Sequence, residues 1–339
     1  MTELAAFLEC ATAGDVHGGV TMVNRLIEGG MTAEDVVLRV LAPAQRHVGR
    51  RWERNELTVA EEHLATTVAD GALAAVVQAT PPPSAAPTVL LVCAEQEWHG
   101  VAARMCAALL GGWGFAVRFL GASVPADDVA AYAADLRPAA VLVSCTFPAA
   151  LPGAVRTIRA GHCAGAPVIA GGRGFGSAAV RGLALGAQAA VDVRELPVVL
   201  REWLARGAPE LPPRGWRPAG EPAQLSLAVS KDDVLRSAMD DLPRRHPNLR
   251  AYDARQLLRT REDLAHILSF VEAAVLVEDP SLLGRMLRWT AGVLEARGVA
   301  ADALPSGIAV LDGALTDHPE ARACLQHAAR LARVGASGD

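Results

Sequence analysis

The chain has 339 residues, 51% hydrophobic and 4% aromatic, with a formal net charge of −5. That length allows two or three domains, each with its own core, and the acidic balance argues against a constitutive nucleic-acid surface, which wants clustered Lys and Arg. No basic-plus-apolar leader and no apolar run near ~18 residues is present, and the six scattered cysteines lack C-x-x-C spacing, so a soluble, cytoplasmic protein with reduced thiols is expected.

Apolar residues at three- and four-residue spacing predict helices over 4–11, 15–28, 32–52 and 58–77. Gly29-Gly30 and Asn55-Glu56 separate them, and Thr32 and Thr58 are the expected N-caps. These helices form a four-helix unit over 1–80, closed by the proline-rich linker 80–87. From Thr88 the pattern alternates. Short apolar strands are predicted over 88–93, 116–120, 140–144, 168–170 and 189–191, with helices over 99–111, 126–136, 150–161, 177–185 and 194–206. Continuous apolar strands alternating with helices predict a parallel sheet buried on both faces, hence an α/β domain of the doubly wound, flavodoxin-like kind over 88–207. Residues 208–224 hold five prolines and read as a second linker. An all-α domain is expected over 226–335, with helices at 231–240, 252–276, 280–297, 309–315 and 320–334.

Three polar signatures fall at the C-terminal ends of strands, where open α/β sheets bind ligands. Glu97-Trp98-His99-Gly100-Val101-Ala102 follows the first strand, Ser144-Cys145-Thr146 ends the third, and Gly171-Gly172-Arg173-Gly174-Phe175-Gly176 follows the fourth. Taken singly, they also fit an N-cap cluster and an ordinary βα turn. The glycines follow the fourth strand rather than the first, so a dinucleotide fingerprint lacks its required context.

Together the three signatures resemble the cobalamin-binding pattern D-x-H-x-x-G, S-x-L, G-G. Forty-one residues separate Ala102 from Ser144, and twenty-four separate Thr146 from Gly171. Glu97 stands for the usual Asp, Ala102 for Gly and Thr146 for Leu. The resemblance implies that His99 is the metal ligand below cobalt and that Glu97 holds its other ring nitrogen. It also implies that Trp98, Gly100 and Val101 line the same loop. Ser144 and Thr146 would offer hydroxyls to the displaced nucleotide tail, against the backbone of Gly171, Gly172, Gly174 and Phe175.

In the preceding helical unit, Trp52 followed ten residues later by Glu62-His63 resembles the cap of adenosylcobalamin photoreceptors. That implies adenosylcobalamin as cofactor, with Trp52, Val59, Glu62 and His63 around the adenosyl group. The alternative is a core Trp52 and a solvated Glu62-His63 face. Light-sensing relatives often carry a helix-turn-helix or enzyme domain; about 110 helical residues stand here instead. Overall the chain resembles the photocobilins, which bind cobalamin and biliverdin. Tyr252, Arg255, His266, Arg285, Arg288 and Trp289 are the candidate biliverdin contacts, each of which also fits a surface or core position. Thr260 with Asp263 reads as a capping box. The expectation is a non-enzymatic light sensor that forms homo-oligomers, acts on a protein effector and touches neither DNA nor membrane. A corrinoid methyl carrier and a cobalamin-dependent anti-repressor without bilin are the alternatives.

Overall fold

A computed structural model of the chain describes residues 2–176, 180–245, 252–300 and 302–334. The chain divides into two compact units, Met1–Phe147 with Gly153–Arg214, and Pro148–Pro152 with Gly215–Asp339.

The first unit opens with α1 (Glu3–Ala13), capped by Thr2, and α2 (Val16–Glu28), capped by Asp15. Thr32 caps α3 (Ala33–Asp35), which runs through a π turn (Val36–Leu41) into α4 (Ala42–Glu53). The sequence predicts one uninterrupted helix there. Pro43 explains the difference, since it has no N–H to give the Arg39 carbonyl and its ring crowds that group. The wider turn bypasses it, with the Ala42 N–H reaching back to Val37, and buries Val36, Val37, Val40 and Leu41 together. Helix α5 (Val59–Ala79) starts with a complete Thr58–Glu61 capping box. Phe7, Val23, Leu41, Val48, Val68 and Leu73 form the core of this bundle, which continues into Ala108 and Leu109 of the next helix.

The sheet follows, its strands alternating with helices: β1 (Thr88–Cys93), α6 (Val101–Gly112), β2 (Ala116–Phe119), α7 (Ala126–Leu136), β3 (Val141–Ser144), α8 (Leu151–Cys163), β4 (Val168–Gly171), α9 (Val180–Ala184), β5 (Ala189–Ala190) and α10 (Leu196–Arg206). The strands are all parallel in the order β2-β1-β3-β4-β5, the flavodoxin-like order, whose switch point lies between β1 and β3. Register matters for function here: Cys93 pairs with Ser144, and Ser144 with Gly171. The three strand ends that carry the polar signatures therefore finish side by side. Residues 177–179, where a helix was expected to begin, lie outside the described residues.

The second unit contains α11 (Glu221–Arg245), α12 (Ala254–Leu276), α13 (Pro280–Ala296), α14 (Ala303–Ala314) and α15 (Pro319–Val334). Helix α11 begins inside the expected linker 208–224, because Pro222 sits in its first turn, where a missing N–H costs nothing. Pro305 in the first turn of α14 likewise hid the start of that helix. The Thr260–Asp263 capping box is not formed. Thr260 lies inside α12 and donates its hydroxyl proton to the Gln256 carbonyl at 2.9 Å, while Asp253 and Gln256 make the box that starts the helix. The quoted segment before it is described only from Tyr252; residues 247–251 lie outside the described residues. An apolar core of Leu227, Leu235, Leu268, Val271, Leu283 and Leu311 is crossed by one polar seam. There Lys231 Nζ lies 2.6 Å from Glu272 Oε1 and 2.9 Å from Ser269 Oγ, and Gln224 Nε2 lies 3.2 Å from Glu272 Oε2. Among the described residues no helix is long and apolar enough to cross a membrane.

Candidate functional site

The loop after β1 is built around one buried carboxylate. The Ala94 N–H donates to the Ser144 carbonyl (2.8 Å), and the Glu97 N–H turns back to the Ala94 carbonyl (2.9 Å). Gln96, inside that turn, has φ +68°, a left-handed conformation unusual for a residue with a side chain. Its N–H is tied to Ser123 Oγ at 3.1 Å. The turn drives Glu97 inward, where it is 1% exposed. Its Oε1 accepts the His99 N–H (2.9 Å) and faces His99 Nδ1 at 2.6 Å; its Oε2 accepts the N–H groups of Thr146 and Phe147, both at 2.7 Å. Burial alone would push this carboxyl up. The hydrogen bonds from the His99 ring, the Phe147 backbone and the His99 backbone outweigh it and hold the group below its ordinary value.

An ionised Glu97 at that distance requires a proton on Nδ1 of His99, so in the neutral ring the lone pair is on Nε2. The ring stacks on Phe147, centroids 4.4 Å apart and planes at 28°, and the side chain is 58% exposed. The imidazole is thus fixed from behind and open in front. The sequence predicts helix from residue 99, but α6 starts at Val101. The Glu97 side chain captures the His99 N–H and keeps that residue in the loop. Trp98 stands 74% exposed beside it. Gly100 precedes α6, Val101 packs against the bundle core, and Ala102 is exposed, so its methyl group crowds nothing in the protein.

Ser144 and Thr146 lie half-buried in the neighbouring loop, and neither hydroxyl makes a hydrogen bond among the described residues. The glycine run packs against that loop: the Gly174 N–H donates to the Cys145 carbonyl (2.9 Å), and the Cys145 N–H to Gly171 (3.0 Å). A Cβ on Gly172, whose φ is +104°, would come within 2.4 Å of the Cys145 oxygen, and one on Gly174 within 2.6 Å of its sulfur. Those two glycines are needed by the protein itself. Gly171 has ordinary clearance, 3.7 Å to the Val191 oxygen. Phe175 is completely enclosed; it supports the loop from behind rather than presenting a ring to a ligand, which corrects its place among the candidate contacts.

Several contributors were missed in the sequence because their partners are remote: Phe147, Ser123 and Gly153. The first turn of α8 packs so tightly on the β1 loop that a Cβ on Gly153 would lie 1.8 Å from the Glu95 oxygen. Glu95 in turn pairs with Arg156 at 2.6 Å.

The cap residues gather at the same end of the unit. Asp70 of α5 meets Arg104 of α6 at 3.5 Å, and the Cβ position of Gly111 lies 3.7 Å from the Thr80 oxygen, so the two helices run side by side in one direction. His63 is seven residues before Asp70, about 10 Å along the axis. The first turn of α5 therefore extends past the start of α6, on the side of the His99 loop. Helix α4 runs the opposite way, with Gln45 beside Thr66 at 3.3 Å; seven residues on, Trp52 comes level with Val59. Trp52 is half-buried against the bundle core, Val59 is 57% exposed, and the Glu62 and His63 side chains are 31% and 74% exposed. His63 Nδ1 lies 2.9 Å from both Glu62 Oε2 and the Val59 carbonyl oxygen.

The bilin candidates are not brought together. Tyr252 and Arg255 lie at the start of α12, and His266 is three turns along it, edge-on to Phe270 at 5.1 Å. Trp289 is 36% exposed on α13. Arg285 donates to Ser281 (2.9 Å) and Arg288 to the Leu331 carbonyl (3.1 Å). The second unit does hold a cavity of about 1040 Å³ between α13, α14 and α15, lined by Leu287, Leu294, Ile308, Leu325, Arg288 and Arg330, with Arg288 the one candidate on its wall.

Comparisons with known proteins agree with the first unit. The family model described as B12 binding domain matches residues 87–195, and a second B12-binding domain model matches residues 3–76. The chain thus carries cobalamin-binding domains. It is 37% identical over 99 residues to the HTH-type transcriptional repressor CarH of Myxococcus xanthus, covering 29% of this chain and 33% of that protein. It is 30% identical over 187 residues to the HTH-type transcriptional repressor CarA of the same organism, covering 52% of this chain and 62% of that protein. The chain therefore spans less than two thirds of either relative. Among solved structures, the monomethylamine corrinoid protein of Methanosarcina barkeri superposes with a TM-score of 0.49 at 19% identity, covering 57% of this chain and 95% of that one.

Proposed function

We propose that the chain is a light sensor that holds adenosylcobalamin in its first unit, with His99 below the cobalt and the end of the helical bundle above it. One observation carries the reading: an imidazole whose Nδ1 is held at 2.6 Å by a buried carboxylate, leaving Nε2 open at the switch point of a parallel sheet. Among the described residues no three His, Cys, Asp or Glu side chains converge on a metal position. A lone imidazole suits a metal whose remaining positions are filled by its own macrocycle. The unengaged hydroxyls of Ser144 and Thr146 suit a polar tail beside it. When bound, adenosylcobalamin supplies a cobalt–carbon bond that visible light breaks.

The protein's own part is binding and readout. Glu97 keeps His99 in one tautomer and one orientation. Trp52, Val59, Glu62 and His63 would hold the adenosyl group, and these side chains would favour one placement of the bundle end only while it is bound, a two-state equilibrium that light would shift. The result is a change of conformation or of homo-oligomeric state, read by a protein effector in the cytoplasm. Among the described residues no nucleophile and base are paired at the site, and the role proposed is that of a sensor rather than an enzyme. The relatives are repressors by name, but the net charge of −5 favours a chain that makes no direct contact with DNA. The apolar cavity of the second unit, with Arg288 on its wall, supports a biliverdin partner chromophore, its size and lining being those of a small-molecule pocket.

The test is a dark titration of the purified chain with adenosylcobalamin, methylcobalamin and biliverdin. Tight adenosylcobalamin binding that weakens in His99→Ala is expected. A preference for methylcobalamin would favour a corrinoid methyl carrier, and binding of cobalamin without biliverdin would favour an anti-repressor type.

A further inference from the structure

Beside the candidate contacts of the bundle end lies a polar chain with no role so far. Thr66 Oγ1 is 3.0 Å from Glu62 Oε1 and 3.3 Å from Gln45 Oε1. A hydroxyl has one proton to give, so Thr66 cannot serve both oxygens. Gln45 Nε2, meanwhile, is shut off from solvent without a partner. The oxygen and nitrogen of a glutamine amide are told apart only by their partners. Turning the amide over resolves both faults. Nε2–H then donates to Thr66 Oγ1, the Thr66 proton goes to Glu62, and the group left under-satisfied is a carbonyl, which tolerates it better than an N–H does.

We infer that Gln45 and Thr66 are positioning residues for the adenosyl-facing Glu62 carboxylate. The chain runs from the Gln45 amide to the Thr66 hydroxyl to the Glu62 carboxylate; the Nδ1–H of His63 goes to the Val59 carbonyl at 2.9 Å, so the second Glu62 oxygen, 2.9 Å from the same nitrogen, keeps its acceptor capacity. That oxygen is the acceptor the chain holds in place, on a side chain 31% exposed. An acceptor there selects an upper ligand with hydrogen-bond donors, such as the amino and hydroxyl groups of a nucleoside, over a methyl group. The functional half of this inference rests on the adenosylcobalamin reading of the first unit.

Thr66→Val, Thr66→Ser and Gln45→Leu test it in two ways. In the cofactor-free protein, NMR should show the Gln45 side-chain amide protected from exchange, with protection lost in Thr66→Val and restored in Thr66→Ser. In dark titrations, Thr66→Val and Gln45→Leu should weaken adenosylcobalamin about tenfold, the loss expected from one charge-assisted hydrogen bond. Methylcobalamin affinity should stay the same and Thr66→Ser should bind as wild type. Equal weakening of both cobalamins would mean a merely structural role and overturn the inference, as would unchanged amide protection in Thr66→Val. A wild-type chain that binds no cobalamin would instead sink the reading of the unit, while the amide experiment still decides whether the chain exists.

Discussion

Glu97 shows how much one side chain can organise. It fills two acceptor oxygens with four N–H groups from three residues, His99, Thr146 and Phe147, and so ties the β1 loop to the β3 loop while setting the tautomer of His99. Glu97→Gln keeps the shape but replaces one acceptor by a donor, leaving buried N–H groups unpaired. Chemical unfolding of the cofactor-free protein should show a loss of about 3 kcal/mol; a loss under about 0.5 kcal/mol would contradict this role. Gln96 is the second residue-level test. At φ +68° a glycine relieves strain but adds chain entropy, so Gln96→Gly should stay within about 0.5 kcal/mol of wild type. Gln96→Val, β-branched in a left-handed conformation, should cost about 1–2 kcal/mol. Equal stability of the two would refute the assignment of strain. The placement of Glu97, His99 and Ser144 at neighbouring strand ends was legible in the sequence because each sits next to a strand end that an apolar run marks. Phe147 and Ser123 were not, because their partners lie 50 and 27 residues away and no local pattern announces them.

At the level of elements, the sheet was readable almost strand by strand, since a buried parallel strand is an unbroken apolar run. Helix starts were less so wherever proline intervened. Pro43 hid a π turn, and Pro222 and Pro305 disguised the first turns of α11 and α14, because proline reads as a breaker although a first turn tolerates it. Asp253 was passed over as a cap because Thr260 offered a similar pattern one helix segment later. The packing of α11 on α12 carries its own prediction. Lys231 neutralises Glu272, which is 7% exposed, so Lys231→Ala leaves a buried carboxylate without its cation. The expected loss, reduced by the 30% exposure of the lysine side chain, is about 2–3 kcal/mol by denaturant unfolding. Replacing both residues, Lys231→Met with Glu272→Leu, should recover most of it. A double variant no more stable than the single one would show that the seam does more than balance charge.

For the whole molecule, two B12-binding matches fall on the bundle and on the sheet, and helix α5 lies along α6 so that both present their starts to the same side. That arrangement puts the first turn of α5 on the side of the His99 loop. The second unit was legible as helices but not as a site: Tyr252, Arg255, His266 and Trp289 are scattered over two helices, whereas the cavity is formed by α13, α14 and α15, and no spacing within one helix encodes a cavity made by three. The account rests most heavily on a photolabile ligand held by His99. Its most direct test is the absorption spectrum of the chain loaded with adenosylcobalamin in the dark, recorded before and after green light, beside His99→Ala. The wild type should change from an adenosyl- to a hydroxo-type cobalamin spectrum, and His99→Ala should show a different dark cobalt spectrum. A wild-type spectrum untouched by light, or a His99→Ala spectrum identical to wild type, would contradict it.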